Sequence, residues 1–305
     1  MLTGRTGIIT RIQNSINNAL TQDPFRRDPA YISEQLPQFE RVLAYFRPHI
    51  YGVDNIPRTG PFLLIGNHSG GMYTPCAYSL IAAFWRTQGV ERPFYGMGHN
   101  ILFSSPLKDW YAKIGILPAD PKNADLVIER DGVLVIFPGG DHEAYRPFKD
   151  RNHIDFAGRK GFIRLALKHR IPILPMVAHG SHHTLFVLSR GERMAEALNM
   201  ERLRVKIFPW TVSFPWGISP GWFPSVPLPA DLTLSFCKPL AWPELGPDAA
   251  NDKTLVSRCF DEVVGAMQNN LDRMVQVLPD PLARLRDRTP ENLARQPWVY
   301  HGHNV

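Results

Sequence analysis

Along residues 60–71, GPFLLIGNHSGG, an apolar run stops at a polar triplet and then at paired glycines. Phe62 to Ile65 is too short for a buried helix and follows Gly60-Pro61, which predicts a core strand. Thr74-Pro75 supplies an N-cap and first-turn pair for an apolar helix over 76–88. Other short apolar runs predict strands at 51–56, 94–96, 133–137, 173–177 and 232–236. Helical spacing predicts helices at 33–46, 106–114, around 126–130, at 161–169 and over the long amphipathic stretch 253–277. Near the N-terminus Ile8, Ile12, Ile16 and Leu20 form a narrow apolar stripe with Arg5 and Arg11 off it. Such a stripe packs on a main domain or, as the sharper alternative, lies on a membrane.

This alternation predicts an α/β fold, a sheet with helices on its faces. Residues 1–49 read as an N-terminal helical segment, 50–240 as the α/β domain, and 241–305 as a C-terminal helix and tail. Residues 207–229 break the rhythm, since their prolines preclude an ordinary helix. Their aromatics suit a core or an acyl-chain wall, with Trp222 and Phe223 as candidates for membrane contact. The Arg- and Pro-rich tail from Pro279 is expected to pack loosely.

Charge changes the picture modestly. The 34 Lys and Arg outnumber 28 Asp and Glu, a formal charge of +6 that suits an anionic membrane surface or cofactor. No RNA-binding, zinc-finger or basic-zipper pattern supports a nucleic-acid partner. Cys76, Cys237 and Cys259 are odd in number and far apart, which fits a reducing cytosol and not a disulfide scaffold. No apolar signal core opens the chain, and no window approaches the roughly 18 apolar residues of a spanning helix. A cytoplasmic, soluble or peripheral protein is expected.

Strand, histidine, glycines and helix start place His68 where a general base sits at the open end of an α/β sheet. A hydrogen-bonded histidine in a glycine turn is the plainer alternative. His179, His182 and His183 resemble a metal patch but lack a carboxylate partner, so no metal is expected. A serine-hydrolase elbow also fails, because in Gly66 to Gly70 the serine falls one place late.

Four blocks occur in order: GNHSGG at 66–71, GILPADP at 115–121, IFPGGDHEAYRP at 136–147 and IPILPMVAHGS at 171–181. Together they resemble the PlsC-type glycerolipid acyltransferase superfamily over residues 50–240. The resemblance extends to its bacterial NHSGG branch and to the diacylglycerol and monoacylglycerol acyltransferases, which GRKGFIRLALKHRIPILP at 158–175 also matches. It implies a glycerol-3-phosphate acyltransferase-like mixed sheet flanked by helices, with helical extensions at both ends. It implies transfer of an acyl group from acyl-CoA or acyl carrier protein to a lipid hydroxyl, with no cofactor and no covalent enzyme intermediate. His68 would take the hydroxyl proton, a carboxylate would fix its tautomer, and glycine-turn N–H groups would hold the oxyanion. Gly70 with Gly71, or Gly139 with Gly140, are the candidate donors. Asn67, Ser69, Tyr73, Cys76, His142 and Arg146 complete the candidate substrate site.

Two departures from the family pattern matter. The family aspartate falls on Tyr73 here, or on Cys76 by the NHSGG pattern, and no Asp or Glu occurs between His68 and Glu91. Asp141 or Glu143 is then the candidate partner, if the strand ends are neighbours. The family's phosphate-contacting arginine falls on His142, which weakens the case for a phosphorylated acceptor. Arg146, Lys149, Arg159 and Lys160 stand nearby to serve phosphate, CoA or solvent, a solvated basic face being the default expectation for each. The missing aspartate leaves two rivals: a catalytically silent lipid- or acyl-carrier-binding protein, and a thioesterase.

Overall fold

The computed structural model describes residues 23–200, 207–283, 298–303 and 305, apart from the side chains of Ile101 and Ser104. The stripe Ile8 to Leu20 and most of the tail lie outside the described residues.

Strands fall into two sheets. Six come first: β1 (His49–Tyr51), β2 (Leu63–Gly66), β3 (Phe94–Gly98), β4 (Ile116–Pro118), β5 (Val133–Ile136) and β6 (Ile173–His179). A small antiparallel sheet follows, β7 (Phe186–Ser189), β8 (Trp210–Ser213) and β9 (Gly217–Pro220), and then β10 (Thr233–Phe236) and β11 (Val299–His301) rejoin the first. The large sheet has the order β11-β1-β10-β6-β2-β5-β3-β4. Only the β10–β6 pair is antiparallel, so β6, β2, β5, β3 and β4 all run one way. The helices are α1 (Pro29–Leu43), α2 (Pro75–Gln88), α3 (Lys108–Lys113), α4 (Pro121–Glu129), α5 (Gly140–Ala144), α6 (Gly161–His169), α7 (Glu192–Ala197) and α8 (Lys253–Val277).

Strand pleating sorts side chains between two cores. Leu64, Val133, Val135, Leu174 and Met176 face α1 and α2, while Leu63, Ile65, Leu134, Ile173 and Val177 face α4, α6 and α8. On α8 the buried stripe Val256, Cys259, Val263, Met267, Leu271, Met274 keeps steps of three and four, one face of a helix. Truncating Met267 or Leu271 there to alanine would cost about 2–5 kcal/mol.

The mixed sheet with flanking helices is the expected fold, and α6 and α8 have the expected bounds. Other elements differ. The strand expected at 51–56 ends at Tyr51, because Gly52 at φ 70 turns the chain into a short 3-10 helix. The helix α1 begins at Pro29, where Asp28 caps it by accepting from Tyr31 N. Thr74 is no side-chain cap: it takes a left-handed φ of 36 and makes no capping bond before Pro75. Asp120, the acidic residue of the second block, caps α4 by accepting from Lys122 N at 2.8 Å. Residues 207–229 are a hairpin and its returning loop, and Val299–His301 pairs with β1, two features that the sequence reading lacked.

Candidate active site

The carboxyl ends of β5, β2 and β6 are neighbours at one sheet edge, as the crevice of an open α/β sheet requires. His68 leaves β2, the segment Gly139 to Arg146 leaves β5, and His182 and His183 leave β6 in a 3-10 turn. Asn67 locks two of these ends together. Its Nδ2 donates to Ala178 O at 2.9 Å, and Ala178 N donates to its Oδ1 at 2.7 Å, extending the ladder by a side chain. Asn67 therefore shapes the site by tying the ends of β2 and β6 together.

Gly70 and Gly71 are required on two counts. Both have positive φ, 85 and 60, and a Cβ on Gly71 would sit 2.6 Å from Leu185 Cδ2. The N–H of Gly71 donates to Ala144 O, and that of Gly140 to Phe137 O, each at 3.0 Å. Each candidate glycine pair thus keeps only one N–H, on Gly70 or Gly139, for an oxyanion.

The carboxylates have other partners than the imidazole. Glu143 is fully buried; its Oε2 accepts from the His68 backbone N at 3.1 Å and its Oε1 from Arg146 Nη2 and, at 3.4 Å, Asp155 N. Every one of these partners is a donor, so the geometry suits the carboxylate. Burial pushes its pKa up to about 7, while Arg146 pulls the other way. Asp141 accepts from Arg159 Nη2 at 3.0 Å and from its neighbour His142 N. Among the described residues no carboxylate hydrogen-bonds the His68 ring. Asp141 acts on it only through space, favouring the imidazolium.

The remaining candidates scatter. Tyr73 accepts from Ser225 N at 2.8 Å, and Cys76 is buried with its Sγ donating to Ser69 O at 3.6 Å. His142 pairs with Asp155 at 2.8 Å. The expectation of a solvated basic face fails at Arg146, which is 1% exposed and paired with Glu143. Lys149 is exposed, as expected.

The His68 ring lies against Phe137, with centroids 4.8 Å apart. Burial pushes its pKa down to about 4, so it is a neutral imidazole at physiological pH. His182 lies within electrostatic range of both His68 and Arg146, and burial holds it well below its ordinary value too. His68 Nδ1, His182 Nε2, Ser69 Oγ and Arg146 Nε and Nη1 are all buried without a hydrogen-bond partner. Such a concentration of unsatisfied polar atoms is a mark of a site that binds water or ligand. His182 is the member that the sequence reading placed only in a metal patch. Its signal was position, directly after the strand next to β2. No cluster able to hold a metal occurs among the described residues.

Residues 47–179 match the family model described as Acyltransferase. Over 256 residues, 83% of this chain and 69% of the relative, the protein is 26% identical to an uncharacterised protein of Mycobacterium tuberculosis. It is 26% identical to human 2-acylglycerol O-acyltransferase 3 over 94 residues, 30% of this chain and 28% of the relative. Among solved structures, the 1-acyl-sn-glycerophosphate acyltransferase PlsC of Thermotoga maritima aligns with 14% identity and a TM-score of 0.48, covering 92% of this chain and 100% of that one. The matched stretch spans β1 to β6, and the strand-end histidine lies within it. The match to the acyltransferase model agrees with the resemblance that the ordered blocks carry.

Proposed function

We propose that this protein moves a fatty acyl group from a thioester, acyl-CoA or acyl carrier protein, to a hydroxyl of a glycerolipid or related lipid. The observation that carries the reading is His68: a half-buried, neutral imidazole at the end of a central strand, within the stretch that matches the acyltransferase model. In the step, the acceptor oxygen bonds to the thioester carbonyl carbon as its proton passes to the imidazole. The carbonyl then reforms, the C–S bond breaks, and the imidazolium returns the proton to the departing sulfur. Gly70 or Gly139 N–H serves the transient oxyanion. Phe137 against the ring and Glu143 on the backbone N–H hold His68 in place, in the stead of a ring carboxylate.

The acceptor is best read as a neutral lipid. Around the β5 loop both arginines have a carboxylate partner, Arg146 with Glu143 and Arg159 with Asp141, and His142 stands in the place of the family's phosphate-contacting arginine. That matching supports an uncharged headgroup over a phosphate. The protein works at a membrane surface from the cytoplasmic side, which accords with its basic charge and its free cysteines. No helix among the described residues is long and apolar enough to cross a membrane.

A second reading rests on the absence of a carboxylate on the His68 ring: a lipid- or acyl-carrier-binding protein without turnover, or a thioesterase in which water replaces the alcohol. Thioester consumption measured with and without lipid acceptor separates the three. Acyl ester formed only with acceptor supports the proposal; acceptor-independent free acid supports hydrolysis; no consumption supports the silent binder.

A further inference from the structure

We propose that the β8–β9 hairpin inserts into the lipid bilayer and sets the mouth of the site at the membrane surface. The hairpin is built inside out. A sheet with one solvated face ordinarily turns apolar residues inward and polar residues outward. Here Thr211 and Ser219 are buried, while Val212 and its cross-strand partner Ile218 are exposed. Phe214 and Trp216 continue the apolar face to the tip, and Phe223 and Val226 flank it on the returning loop. Phe214, Trp216 and Ile218 are 66%, 53% and 71% exposed, a contiguous apolar surface of the kind that marks an interaction site.

The occupant follows from chemistry at the hairpin and around it. From residue 207 to residue 230 the chain carries no charged side chain, so nothing ionic opposes entry into hydrocarbon. Several of the polar atoms that would enter are already paired within the hairpin and its returning loop. Val226 N donates to Phe214 O at 2.9 Å, Phe223 N to Pro220 O at 3.1 Å, and Trp216 Nε1 donates to Pro224 O. Thr211 Oγ1 donates to Ser219 O at 3.2 Å on the protein side. Internal pairing of this kind is what a low-dielectric medium demands, and a protein partner would not require it. Cations lie beside the small sheet: Arg190 and Arg193 follow β7, and Arg151 covers Phe148, which packs on Phe186 of β7. They complement anionic headgroups around an apolar tip.

The hairpin is joined to the catalytic loops. Ser225 N donates to Tyr73 OH at 2.8 Å, five residues beyond His68 along the β2 loop. Tyr145 OH donates to Gly221 O at 3.2 Å and its ring packs on Trp222 at 5.5 Å, between Glu143 and Arg146 on the other loop. Trp222 is thus an inward anchor and not the membrane contact expected from sequence. A tip buried in the bilayer would bring the His68 mouth to the level where acyl acceptors lie. Only the placing of the mouth at the level of the acceptors rests on the lipid-acceptor reading; membrane binding itself is measured without substrate.

The test uses the full chain and vesicles of equal parts phosphatidylcholine and phosphatidylglycerol, with no thioester present. We expect co-sedimentation at low salt, weakened by salt. Phe214→Ser with Trp216→Ser and Ile218→Ser should lower the bound fraction at least about tenfold, with the melting temperature unchanged. Val212→Ser with Ile218→Ser, which leaves the tip turn intact, should lower it by a smaller factor. Turnover with a water-soluble short-chain acceptor should be the same in all variants. Unchanged vesicle binding in both variants would overturn the inference. So would a wild-type dimer, seen by analytical ultracentrifugation, that both variants dissociate without loss of vesicle binding, since the face would then be a self-interface. A protein that binds vesicles through the hairpin yet transfers no acyl group would leave this inference standing and defeat the proposed activity alone.

Discussion

The loops at the ends of β2, β5 and β6 and the β8–β9 hairpin lie side by side and invert the ordinary partition in opposite senses. The loops bury Glu143, Arg146, His182 and His68 Nδ1 in the interior, whereas the hairpin turns Val212, Phe214, Trp216 and Ile218 outward. Buried charge and unsatisfied polar atoms cost stability, and exposed aromatics cost solubility. Neither arrangement helps the fold. Their adjacency puts the proposed chemistry and the proposed membrane contact at one mouth.

The largest effect should come from the polar side. His68→Ala should reduce acyl transfer by about 100- to 10,000-fold, the range of a lost general base, with little change in melting temperature. Comparable loss of folding would instead make His68 structural.

Glu143→Leu should act on stability first. It removes the partner of a buried guanidinium and an acceptor for the His68 N–H, for which a loss of about 3–5 kcal/mol is expected in denaturant melts. A mild effect there would mean that Arg146 is not left as an uncompensated buried charge.

Acid should reveal the depressed histidine. A histidine at about 4 in the fold and near 6.5 unfolded gives its stability in full above about pH 6.5 and loses it as pH falls toward 4. The unfolded chain binds the proton that the folded one refuses, a difference of roughly 3 kcal/mol at the limit. His68→Gln should flatten the fall in stability between these pH values by a measurable part of that amount. For the same reason, turnover should show no protonation step of His68 between pH 7 and 5.

Asn67→Ala should cost about 1–3 kcal/mol by orphaning the buried Ala178 N–H. Turnover should fall with it, because the ends of β2 and β6 separate. Asp141→Asn sharpens the comparison with the smallest expected change, since Asp141 serves Arg159 and not the imidazole. A collapse in rate on that substitution would restore Asp141 as the catalytic carboxylate.

Much of the scaffold was legible in the sequence for physical reasons. The stripe on α8 and the apolar runs of β2, β5 and β6 are strong local signals, because each buries a continuous face. His68 was legible because a strand stopped abruptly beside glycines. The strand β11 was not, since three residues held by pairing with distant β1 leave no local period. The hairpin was hidden because its alternation is reversed and broken by prolines. Arg146 read as a surface cation because nothing in its neighbours shows that Glu143 and the β5 loop enclose it. The roles of Glu143 and His182 depend on which strand ends meet, and only sheet order settles that.

The central claim is acyl transfer from thioester to lipid hydroxyl with His68 as base. The direct measurement is incubation of the full chain with radiolabelled acyl-CoA, and in parallel with labelled acyl carrier protein, on vesicles containing mono- and diacylglycerol. The account predicts labelled acyl ester with the wild type and none above background with equally folded His68→Ala. Label recovered only as free fatty acid, or ester formed equally by both proteins, would contradict it.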